Sequence, residues 1–493
     1  MMSTTPPRQG QLYIAGRWCN ARSGRVETVF NPATEAPLAE VAVGAAEDVD
    51  AAVSAAAAAQ SAWGRSSGHE RATCLRAIAR GVEQQQEQLA QLQTANNGKP
   101  LSESQIDIGD VIATFNYYAE LAEQLDARQD QPVTLPDAGF AATLRCEPCG
   151  VAALIVPWNF PMVTTAWKVA PALAAGCTVI LKPSEITPLP ELALAAIIDQ
   201  AGLPAGVFNL VTGSGAEVGT ALVAHPAVRK VSFTGSTAVG QTVMKAAADD
   251  LKRVSLELGG KSAALMFADA DLELALEIVC GGIFFNAGQM CSATSRLLIE
   301  RSIAEDFMAR LKRRVDAIKV GDPLDPATQM GPLSNRQQYR KVQQYIQQGL
   351  AGGLRLISGG EPQGMSKGYF VAPTIFADVP FDSPLWREEI FGPVLCVNTF
   401  DSEQEAIAIA NQSEYGLVAT VLTTDQERAS RVSAALEVGL VWVNSPQVIF
   451  PQTSWGGMKK SSIGRELGPW GLQAFQEIKH VVVATPKTQQ PPE

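Results

Sequence analysis

The sequence predicts an α/β fold in which helices cover a parallel sheet. From residue 151, short apolar runs alternate with helical patterns, as in VAALIV, TTAWKVAPALAAG, CTVILKP and PELALAAIIDQAG. Such a βαβα series is typical of parallel strands joined by helices. A second series follows from 262 to about 445, with ALMFAD, DLELALEIVCGGIFF and RLLIERS. A chain of 493 residues therefore holds two or three domains.

Helices are predicted before the first strand series. Residues 45 to 62 are rich in alanine, which has the highest helix propensity. A second helical stretch is predicted over residues 68 to 95.

The composition argues against several classes of protein. The net charge is −11 without a basic stripe, so we expect no nucleic-acid or membrane-surface partner. No run approaches the ~20 apolar residues of a membrane span, and the first residues lack the apolar core of a secretory signal. Eight cysteines in so long a chain predict no disulfide framework, and we expect a cytoplasmic protein with reduced thiols.

Cys146 and Cys149 have the two-residue gap of metal and redox motifs. A zinc site needs a second pair or histidines, and none follows in the sequence. We therefore predict a strand or turn at this position and no metal site.

Two glycine-rich segments are imperfect forms of the dinucleotide-binding pattern G-x-G-x-x-G. GSGAEVG contains Gly213, Gly215 and Gly219 and is one residue too long, and FTGSTAVG contains Gly235 and Gly240. Each follows an apolar strand and opens a helix, where free amides can bind phosphate. Each alone is equally typical of a tight turn between strand and helix.

The segment LKPSE places Lys182 and Glu185 after a strand. Both side chains can bind ribose hydroxyls there, and the carboxylate would repel a 2′-phosphate, which favours NAD over NADP. A surface ion pair is the alternative interpretation.

The stretch FFNAGQMCSATSRL places Cys291 among small residues, and none of the three histidines lies near it in sequence. A free cysteine is only a few per cent thiolate at pH 7, so a nucleophilic Cys291 needs local activation. Backbone amides near Cys291 and a positive nicotinamide ring can favour the anion without a histidine. A buried, inert cysteine is the alternative.

Seven motifs then occur in a fixed order: PWNFP (157–161), LKPSE (181–185), FTGS (233–236), LELGGK (256–261), GQMCS (288–292), EEIFGPV (388–394) and GRELG (464–468). Together they resemble the NAD(P)-dependent aldehyde dehydrogenase superfamily over nearly the whole chain. The resemblance implies a Rossmann-type NAD-binding domain (1–128 and 149–257), an α/β catalytic domain (258–460) and a small β oligomerisation arm (129–148 and 474–493). It also implies a homo-oligomer, either a dimer or a tetramer.

The resemblance assigns the chemistry to five residues. Cys291 is the nucleophile that attacks the aldehyde carbon to give a thiohemiacetal, and Asn159 with the amide of Cys291 forms the oxyanion hole. Glu257 is the general base for the hydrolytic water, which argues for release of a free acid rather than transfer to coenzyme A. Lys168 and Glu466 form a proton exit path behind Glu257.

The resemblance also implies a set of residues that contact NAD. They are Val156, Pro157, Trp158, Lys182, Ser184, Glu185, Gly215, Gly219, Phe233, Gly235, Ser236, Leu258, Glu389 and Phe391.

Within the superfamily, the sequence looks most like the betaine-aldehyde and aminoaldehyde branch, which binds cationic aldehydes. Trp167 and Trp455 match its aromatic box, where cation–π attraction is the physical reason for aromatic residues. Asp107 and Asp110 match acidic positions at the substrate entrance. Phe160 stands where that branch usually has tyrosine.

The resemblance implies a tunnel through which the substrate reaches Cys291. The loop NSPQVIFPQTSWGG brings Val448, Ile449 and Phe450 towards this tunnel, and Met290 and Phe285 extend its apolar wall. Apolar walls reward each buried CH₂ by ~0.8 kcal/mol, so the sequence favours an uncharged aliphatic or aromatic aldehyde, with an amino or betaine aldehyde as the alternative. The predicted substrate contacts are Asp107, Asp110, Phe160, Trp167, Phe285, Met290, Ser292, Ile449, Phe450 and Trp455.

Two other classes of function stay open at this point. A cysteine hydrolase of esters would need no cofactor, and a non-catalytic structural protein would need none of Cys291, Glu257 and Asn159.

Overall fold

The computed structural model describes residues 10–359 and 367–485. The fold is α/β, as predicted, with two large sheets and a small three-stranded arm. Among the described residues, no helix is both long and apolar enough to cross a membrane.

The strands, in chain order, are β1 Leu12–Ile14, β2 Arg17–Cys19, β3 Val26–Phe30, β4 Pro37–Ala42, β5 Gln131–Val133, β6 Phe140–Pro148, β7 Val151–Ile155, β8 Thr178–Lys182, β9 Phe208–Leu210, β10 Lys230–Thr234, β11 Arg253–Glu257, β12 Ala263–Met266, β13 Arg296–Glu300, β14 Arg355–Ser358, β15 Thr374–Ala377, β16 Val394–Phe400, β17 Tyr415–Gly416, β18 Val418–Leu422, β19 Leu440–Val443, β20 Met458–Lys459, β21 Ser462–Ile463 and β22 Gln476–Ala484.

The α-helices are α1 Ala46–Trp63, α2 Gly68–Gln84, α3 Gln86–Asn97, α4 Leu101–Glu123, α5 Pro161–Ala175, α6 Leu189–Asp199, α7 Thr220–Ala224, α8 Thr237–Ala248, α9 Leu272–Phe284, α10 Ala304–Asp316, α11 Arg336–Ala351, α12 Pro384–Arg387, α13 Glu403–Asn411, α14 Gln426–Ala435 and α15 Gly468–Gln473. Single turns of 3₁₀ or π helix lie at Asp126–Arg128, Gly215–Gly219, Phe285–Gly288 and Arg301–Ile303.

The predicted helix over 68 to 95 is interrupted. Ser67 caps α2 with a reciprocal bond to Glu70, and α2 ends at Gln84. Gln85 lies between α2 and α3 with φ −117° and ψ 15°, outside helical geometry. The break turns α3 so that its last residues, including Asn97, are buried near the site.

The first sheet has the strand order β2-β1-β9-β8-β7-β10-β11-β21, and its central strands from β9 to β11 are parallel. The chain runs outward from β7 through β8 to β9, and then crosses to the other side for β10 and β11. The strand order therefore reverses between β7 and β10. In sheets of this kind a ligand crevice opens at the carboxyl ends of the strands at such a point.

Helices cover both faces of this sheet, which is the three-layer packing that buries β7 and β8 completely. Ala152 and Leu154 pack on the side of α2, α4, α5 and α6. Val151 and Ala153 point to the opposite side, towards α1, α7 and α8. This alternation follows from the two-residue period of a strand.

The second sheet has the order β14-β15-β16-β13-β12-β18-β19 and is parallel except for β14. It has its own apolar core, in which Phe307, Phe376 and Phe400 are almost fully buried. The two strand series of the sequence thus form two sheets with separate cores. The predicted domain limits stay a prediction.

The arm consists of β5, β6 and β22, paired antiparallel in the order β22-β6-β5. The two segments predicted for it pair with each other, from Gln476↔Pro148 to Ala484↔Phe140. Strand β22 is an edge strand on which Ile478 is 70% exposed and Val482 59% exposed. Residues 486–493 of the predicted arm lie outside the described residues.

An exposed apolar edge strand favours pairing with another chain. We therefore expect Val482→Lys to reduce the assembled fraction, because a charge on β22 opposes burial of this edge. Size-exclusion chromatography with light scattering measures the mass of the species. Leu251→Lys is the matched control, since Leu251 is 90% exposed outside the arm. A wild-type protein that is monomeric at all concentrations would contradict the prediction.

Candidate active site

A cavity of about 720 Å³ lies between the two sheets, at the carboxyl ends of the strands of the first sheet. The predicted nucleophile Cys291 and the predicted oxyanion donor Asn159 both line it. All ten predicted substrate residues line it as well. The structure therefore brings residues from distant parts of the sequence to one place.

The loop before Cys291 has an unusual backbone. Asn286, Ala287 and Gly288 have φ of 48°, 52° and 74°, so three consecutive residues are left-handed. A Cβ at position 288 would lie 2.2 Å from the carbonyl oxygen of Gly392, so only glycine fits there. Left-handed conformations of non-glycine residues persist where the surroundings hold them.

Neighbouring side chains hold this loop in place. The amide of Asn286 donates to the Glu103 carboxyl at 2.9 Å, and its Nδ2 donates to the carbonyl of Asn159 at 3.0 Å. Gln289 Nε2 closes the turn with a bond to the carbonyl of Asn286 at 2.9 Å. The position of Cys291 thus depends on α4 and on the segment after β7.

The thiol of Cys291 is not activated by the protein around it. Burial raises its pKa, and the charges of Glu257 and Glu389 raise it further. The amides of Ser292 and Cys291 act in the opposite direction but do not outweigh these effects. Local backbone amides, which the sequence suggests as activators, are therefore insufficient alone.

Asn159 follows β7 and is buried. Its Nδ2 donates to the carbonyl of Gln289 at 2.8 Å, two residues before Cys291. A side-chain amide carries two N–H groups. The bond to Gln289 therefore fixes the amide beside the nucleophile and leaves a second donor.

Glu257 ends β11 and is also buried. Burial raises the pKa of its carboxyl well above the usual value, and the charge of Glu466 raises it further. Ser462 Oγ donates to Oε1 at 2.8 Å, whereas Oε2 has no hydrogen-bond partner among the described residues. One carboxyl oxygen of Glu257 is therefore free to bind another group.

Lys168 and Glu466 form a buried ion pair. Lys168 Nζ also donates to Thr234 Oγ1 at 2.7 Å, and Thr234 lines the cavity. Ser232 donates to Glu466 at 3.3 Å. The two residues predicted to lie behind Glu257 are thus joined to each other, and their polar chain reaches the cavity wall.

The predicted cofactor residues fall into two groups. The first lines the cavity and comprises Pro157, Trp158, Gly235, Ser236, Leu258, Glu389 and Phe391. In this group the rings of Trp158 and Phe391 meet edge to face at 5.3 Å. Glu389 accepts from the amide of Gly260 at 3.0 Å, and a Cβ at Gly259 would clash with the Glu389 carboxyl.

The second group lies at the neighbouring strand ends, outside the cavity lining: Val156, Lys182, Ser184, Glu185, Gly215, Gly219 and Phe233. Lys182 Nζ pairs with Glu185 at 2.9 Å. Although burial acts against ionisation, Lys182 holds the pKa of Glu185 below its usual value. The edge carries the N-terminus of α8, capped by Ser236, and a lysine–carboxylate pair, which suit the phosphates and ribose of a dinucleotide.

Aromatic rings form part of the cavity wall. The rings of Trp167 and Trp455 are 5.3 Å apart, and Phe160 stacks on Phe285 at 6.4 Å. Lys99 Nζ lies 3.7 Å from the centre of the Phe160 ring and also forms an ion pair with Asp107. Trp167 and Trp455 are therefore adjacent rings that line the cavity, and their role as an aromatic box stays a prediction.

Three carboxyl groups of α4 form what we call the acidic cluster: Glu103, Asp107 and Asp110. Lys99 pairs with Asp107 at 2.6 Å and is the cation beside them. Burial raises the pKa of Glu103 to about 8. It raises the pKa of Asp110 to about 7, and the neighbouring Asp107 adds to this shift.

Sequence reasoning missed several residues of the site, and four of them hold its charged groups and loops. Lys99 and Glu103 precede Asp107 at helical spacing, and that spacing is a signal that could have found them. Gln338 and Lys341 of α11 donate to the carbonyls of Phe391 and Glu389 and so hold their loop. The sequence around α11 carries no signal for this role.

Comparison with known proteins places the chain among others of the same length. The sequence model described as the aldehyde dehydrogenase family matches residues 18–481. Aminoaldehyde dehydrogenase 2 of Zea mays is 47% identical over 484 residues, which cover 97% of this chain and 96% of that protein. Betaine aldehyde dehydrogenase 1 of Oryza sativa subsp. japonica is 46% identical over 481 residues, which cover 96% and 95%.

Solved structures agree. A betaine aldehyde dehydrogenase from Staphylococcus aureus in complex with NAD⁺ superimposes with a TM-score of 0.94 at 37% identity, covering 97% of this chain and 95% of that chain. A mutant form of an aldehyde dehydrogenase from Bacillus cereus has the same TM-score at 40% identity and covers 97% and 96%.

The bond from Asn286 to Glu103 yields a prediction about the nucleophile loop. Removing the acceptor with Glu103→Ala leaves a buried N–H unpaired, so we expect the free energy of unfolding to fall by about 1–3 kcal/mol. The rate at which iodoacetamide alkylates Cys291 should change as well, because the loop before Cys291 loses a bond that holds it. Denaturant titration and the alkylation rate measure the two effects.

Glu103→Gln is the control for this variant. With a pKa of about 8 the Glu103 carboxyl is mostly protonated at pH 7, so an amide replaces it closely and keeps the acceptor. If the alanine and glutamine variants behave alike, the loop does not depend on this bond.

Proposed function

This chain belongs to the aldehyde dehydrogenase family, and we propose that it oxidises aldehydes that carry a cationic group to carboxylic acids with NAD. The observation that carries the substrate class is the acidic cluster beside the aromatic box. Lys99 offsets the charge of Asp107 there, and Glu103 is mostly protonated at pH 7, which leaves Asp110 as the carboxyl without a salt-bridge partner among the described residues. A cation bound in the box would add the positive charge that this cluster lacks.

The reaction begins at Cys291. Its sulfur adds to the carbonyl carbon, and the oxygen becomes an anion within reach of Asn159 Nδ2 and the amide of Cys291. When bound, NAD supplies the hydride acceptor and, in its nicotinamide ring, the positive charge that the protein does not place beside Cys291. Asn159 suits the donor role because its amide is already fixed beside the nucleophile.

Glu257 acts in the second half of the reaction. The acyl group left on Cys291 is a thioester, and its hydrolysis needs a base that takes a proton from water. The free Oε2 of Glu257 suits this task. The proton then passes towards the pair of Lys168 and Glu466, whose charge is felt at Glu257.

NAD rather than NADP is the proposed cofactor. The Glu185 carboxylate would stand where the extra phosphate of NADP would need room and a positive charge. Its lowered pKa keeps the carboxylate charged at neutral pH. The NAD⁺ complex of the Staphylococcus aureus relative supports the same cofactor.

A cationic substrate is preferred here over the uncharged aldehyde that the sequence favours. The apolar residues Met290, Ile449 and Phe450 line the same cavity. They suit the methylene groups between the aldehyde and the cation. The relatives named aminoaldehyde and betaine aldehyde dehydrogenase support this choice.

The role of Glu257 is tested by Glu257→Gln. Hydride transfer should survive while hydrolysis fails, so we expect a burst of NADH close to one per active site. Turnover should then be slower by about 10²–10⁴-fold. Stopped-flow absorbance of NADH measures both phases.

Two control variants accompany the Glu257→Gln experiment. Cys291→Ser should abolish the burst, and Glu414→Gln, a change in an exposed residue, should leave both phases intact. A Glu257→Gln protein with normal turnover would contradict the assignment. Ester cleavage without NAD-dependent aldehyde oxidation would favour a cysteine hydrolase instead.

The substrate class is tested with two aldehydes of the same shape. Betaine aldehyde carries a permanent trimethylammonium group, and 3,3-dimethylbutanal replaces it with an uncharged tert-butyl group. At an effective dielectric of about 20, a charge ~8 Å from Asp110 gains about 2 kcal/mol, or roughly 30-fold. The preference is measured as kcat/KM for betaine aldehyde divided by kcat/KM for 3,3-dimethylbutanal. We expect Asp110→Asn to lower this ratio by about this factor at pH about 8.5.

The same two aldehydes also test a pH dependence. The pKa of Asp110 is raised to about 7, so the carboxyl is neutral below that pH and charged above it. The KM of betaine aldehyde should therefore fall as pH rises through 7, relative to that of 3,3-dimethylbutanal. Asp110→Asn should remove this relative change. The proposal would be contradicted if the ratio of the two KM values were the same in the wild type and in Asp110→Asn at every pH.

A further inference from the structure

Two cysteines outside the active site lie close together. Cys149 precedes β7 by two residues, and Cys177 precedes β8 by one. Their sulfur atoms are 3.7 Å apart. Since β7 and β8 are parallel neighbours, both cysteines lie at the amino ends of the strands, at the edge opposite to Cys291. The spatial partner of Cys149 is therefore Cys177, not Cys146 of the two-residue motif.

The pair lies where the arm joins the first sheet. The amide of Cys149 donates to the carbonyl of Phe475 at 3.0 Å, and the Cys177 thiol donates to the same oxygen at 3.3 Å. Phe475 directly precedes β22. The two thiols and the root of the arm thus share one carbonyl.

A buried lysine stands beside the thiols. Lys230 is 2% exposed, its Nζ donates to Ser255 Oγ, and the Nζ lies 5.4 Å from the centre of the Phe475 ring. Within residues 10–359 and 367–485, no carboxylate forms a salt bridge with it. A buried cation without a carboxylate partner favours a nearby thiolate.

The two thiols are unequal. When Cys177 turns its one S–H from the Phe475 carbonyl to the Cys149 sulfur, that bond lowers the pKa of the Cys149 thiol; Lys230 adds to this effect, whereas burial and Glu477 oppose it. Burial raises the pKa of Cys177 well above its usual value. Cys149 is half-buried, whereas Cys177 is fully buried. An accessible thiolate beside a buried thiol is the arrangement of an attacking and a resolving cysteine.

We propose that Cys149 and Cys177 form a redox-active dithiol that hydrogen peroxide oxidises to a disulfide. The Cys149 thiolate attacks one peroxide oxygen, the O–O bond breaks, and the departing hydroxide takes a proton to leave as water. The sulfenic acid on Cys149 is then attacked by the sulfur of Cys177. The S–S bond forms, and the hydroxyl leaves with the proton of Cys177 as a second water. The two sulfurs lose two electrons, and the peroxide is reduced to two waters.

The disulfide would act on the active site through the chain it encloses. The segment between Cys149 and Cys177 contains Asn159, Trp167 and Lys168. Closing the bond brings the sulfurs from 3.7 Å to about 2.05 Å and removes the thiol donor from the carbonyl of Phe475. Oxidation therefore constrains the ends of the segment that carries the oxyanion donor.

The test uses a Cys291→Ser background, so that the proposed nucleophile does not consume the oxidant. The protein is treated with hydrogen peroxide, alkylated, digested without reductant and analysed by mass spectrometry. We expect a cross-link of Cys149 to Cys177 that dithiothreitol reverses. Trypsin releases Cys146 and Cys149 on one peptide, so Cys146→Ser is the matched control and should keep the cross-link.

Single variants then separate the two roles. With Cys177→Ser, dimedone should trap a sulfenic acid at Cys149, whereas Cys149→Ser should give none at Cys177. Lys230→Met should slow the trapping at Cys149, and Lys230→Arg should restore it. The proposal is overturned if both thiols stay alkylatable at a peroxide dose that oxidises Cys291 in the wild-type protein. A cross-link of Cys149 to Cys146 would overturn it equally.

Discussion

The left-handed turn at Asn286, Ala287 and Gly288 is the constraint on which the site depends. It ends a helix of the second sheet and points the following residues at the first sheet. The groups that hold it, Glu103 and the carbonyl of Asn159, belong to elements that cover the first sheet. The cavity therefore exists only where the two sheets meet, and neither series of strands could form it alone.

Charge is arranged around this turn with little excess positive charge. Cys291 feels the carboxyls of Glu257 and Glu389, and the buried Lys168 is already paired with Glu466. On the far side, Lys99 is paired with Asp107. A cavity of this kind attracts positive groups at both ends. The proposed nicotinamide beside the thiol and the proposed cationic substrate group beside α4 would satisfy the same electrostatic need.

The sequence predicts the parts of the molecule that repeat a simple pattern. The apolar runs of β7 and β8 are unambiguous because both faces of these strands are buried. Helix α4 is not predicted, since its buried face carries Glu103 and Asp107 and so breaks the apolar period. The motifs identify Cys291, Asn159 and Glu257 as candidates, and the fold brings the first two to one cavity and places Glu257 close enough for its charge to be felt at Cys291.

The sequence alone does not predict how charges that are distant along the chain affect the thiol of Cys291. The pattern around Cys291 suggests that backbone amides favour the thiolate, and the amides do act that way. Burial and two carboxyls outweigh them, because strand β11 and the loop after α12 bring Glu257 and Glu389 to the thiol. Such an effect depends on tertiary distances, which no local spacing encodes.

Helix α5 shows how closely these functions are linked. All fifteen of its residues are buried, so every side chain packs inside the molecule. Trp167 faces the cavity and Lys168, the next residue, faces Glu466, since successive residues on a helix point about 100° apart. The helix starts just after Asn159 and ends just before Cys177. One buried helix therefore joins the residues proposed as oxyanion donor, aromatic box and proton path to the thiol pair.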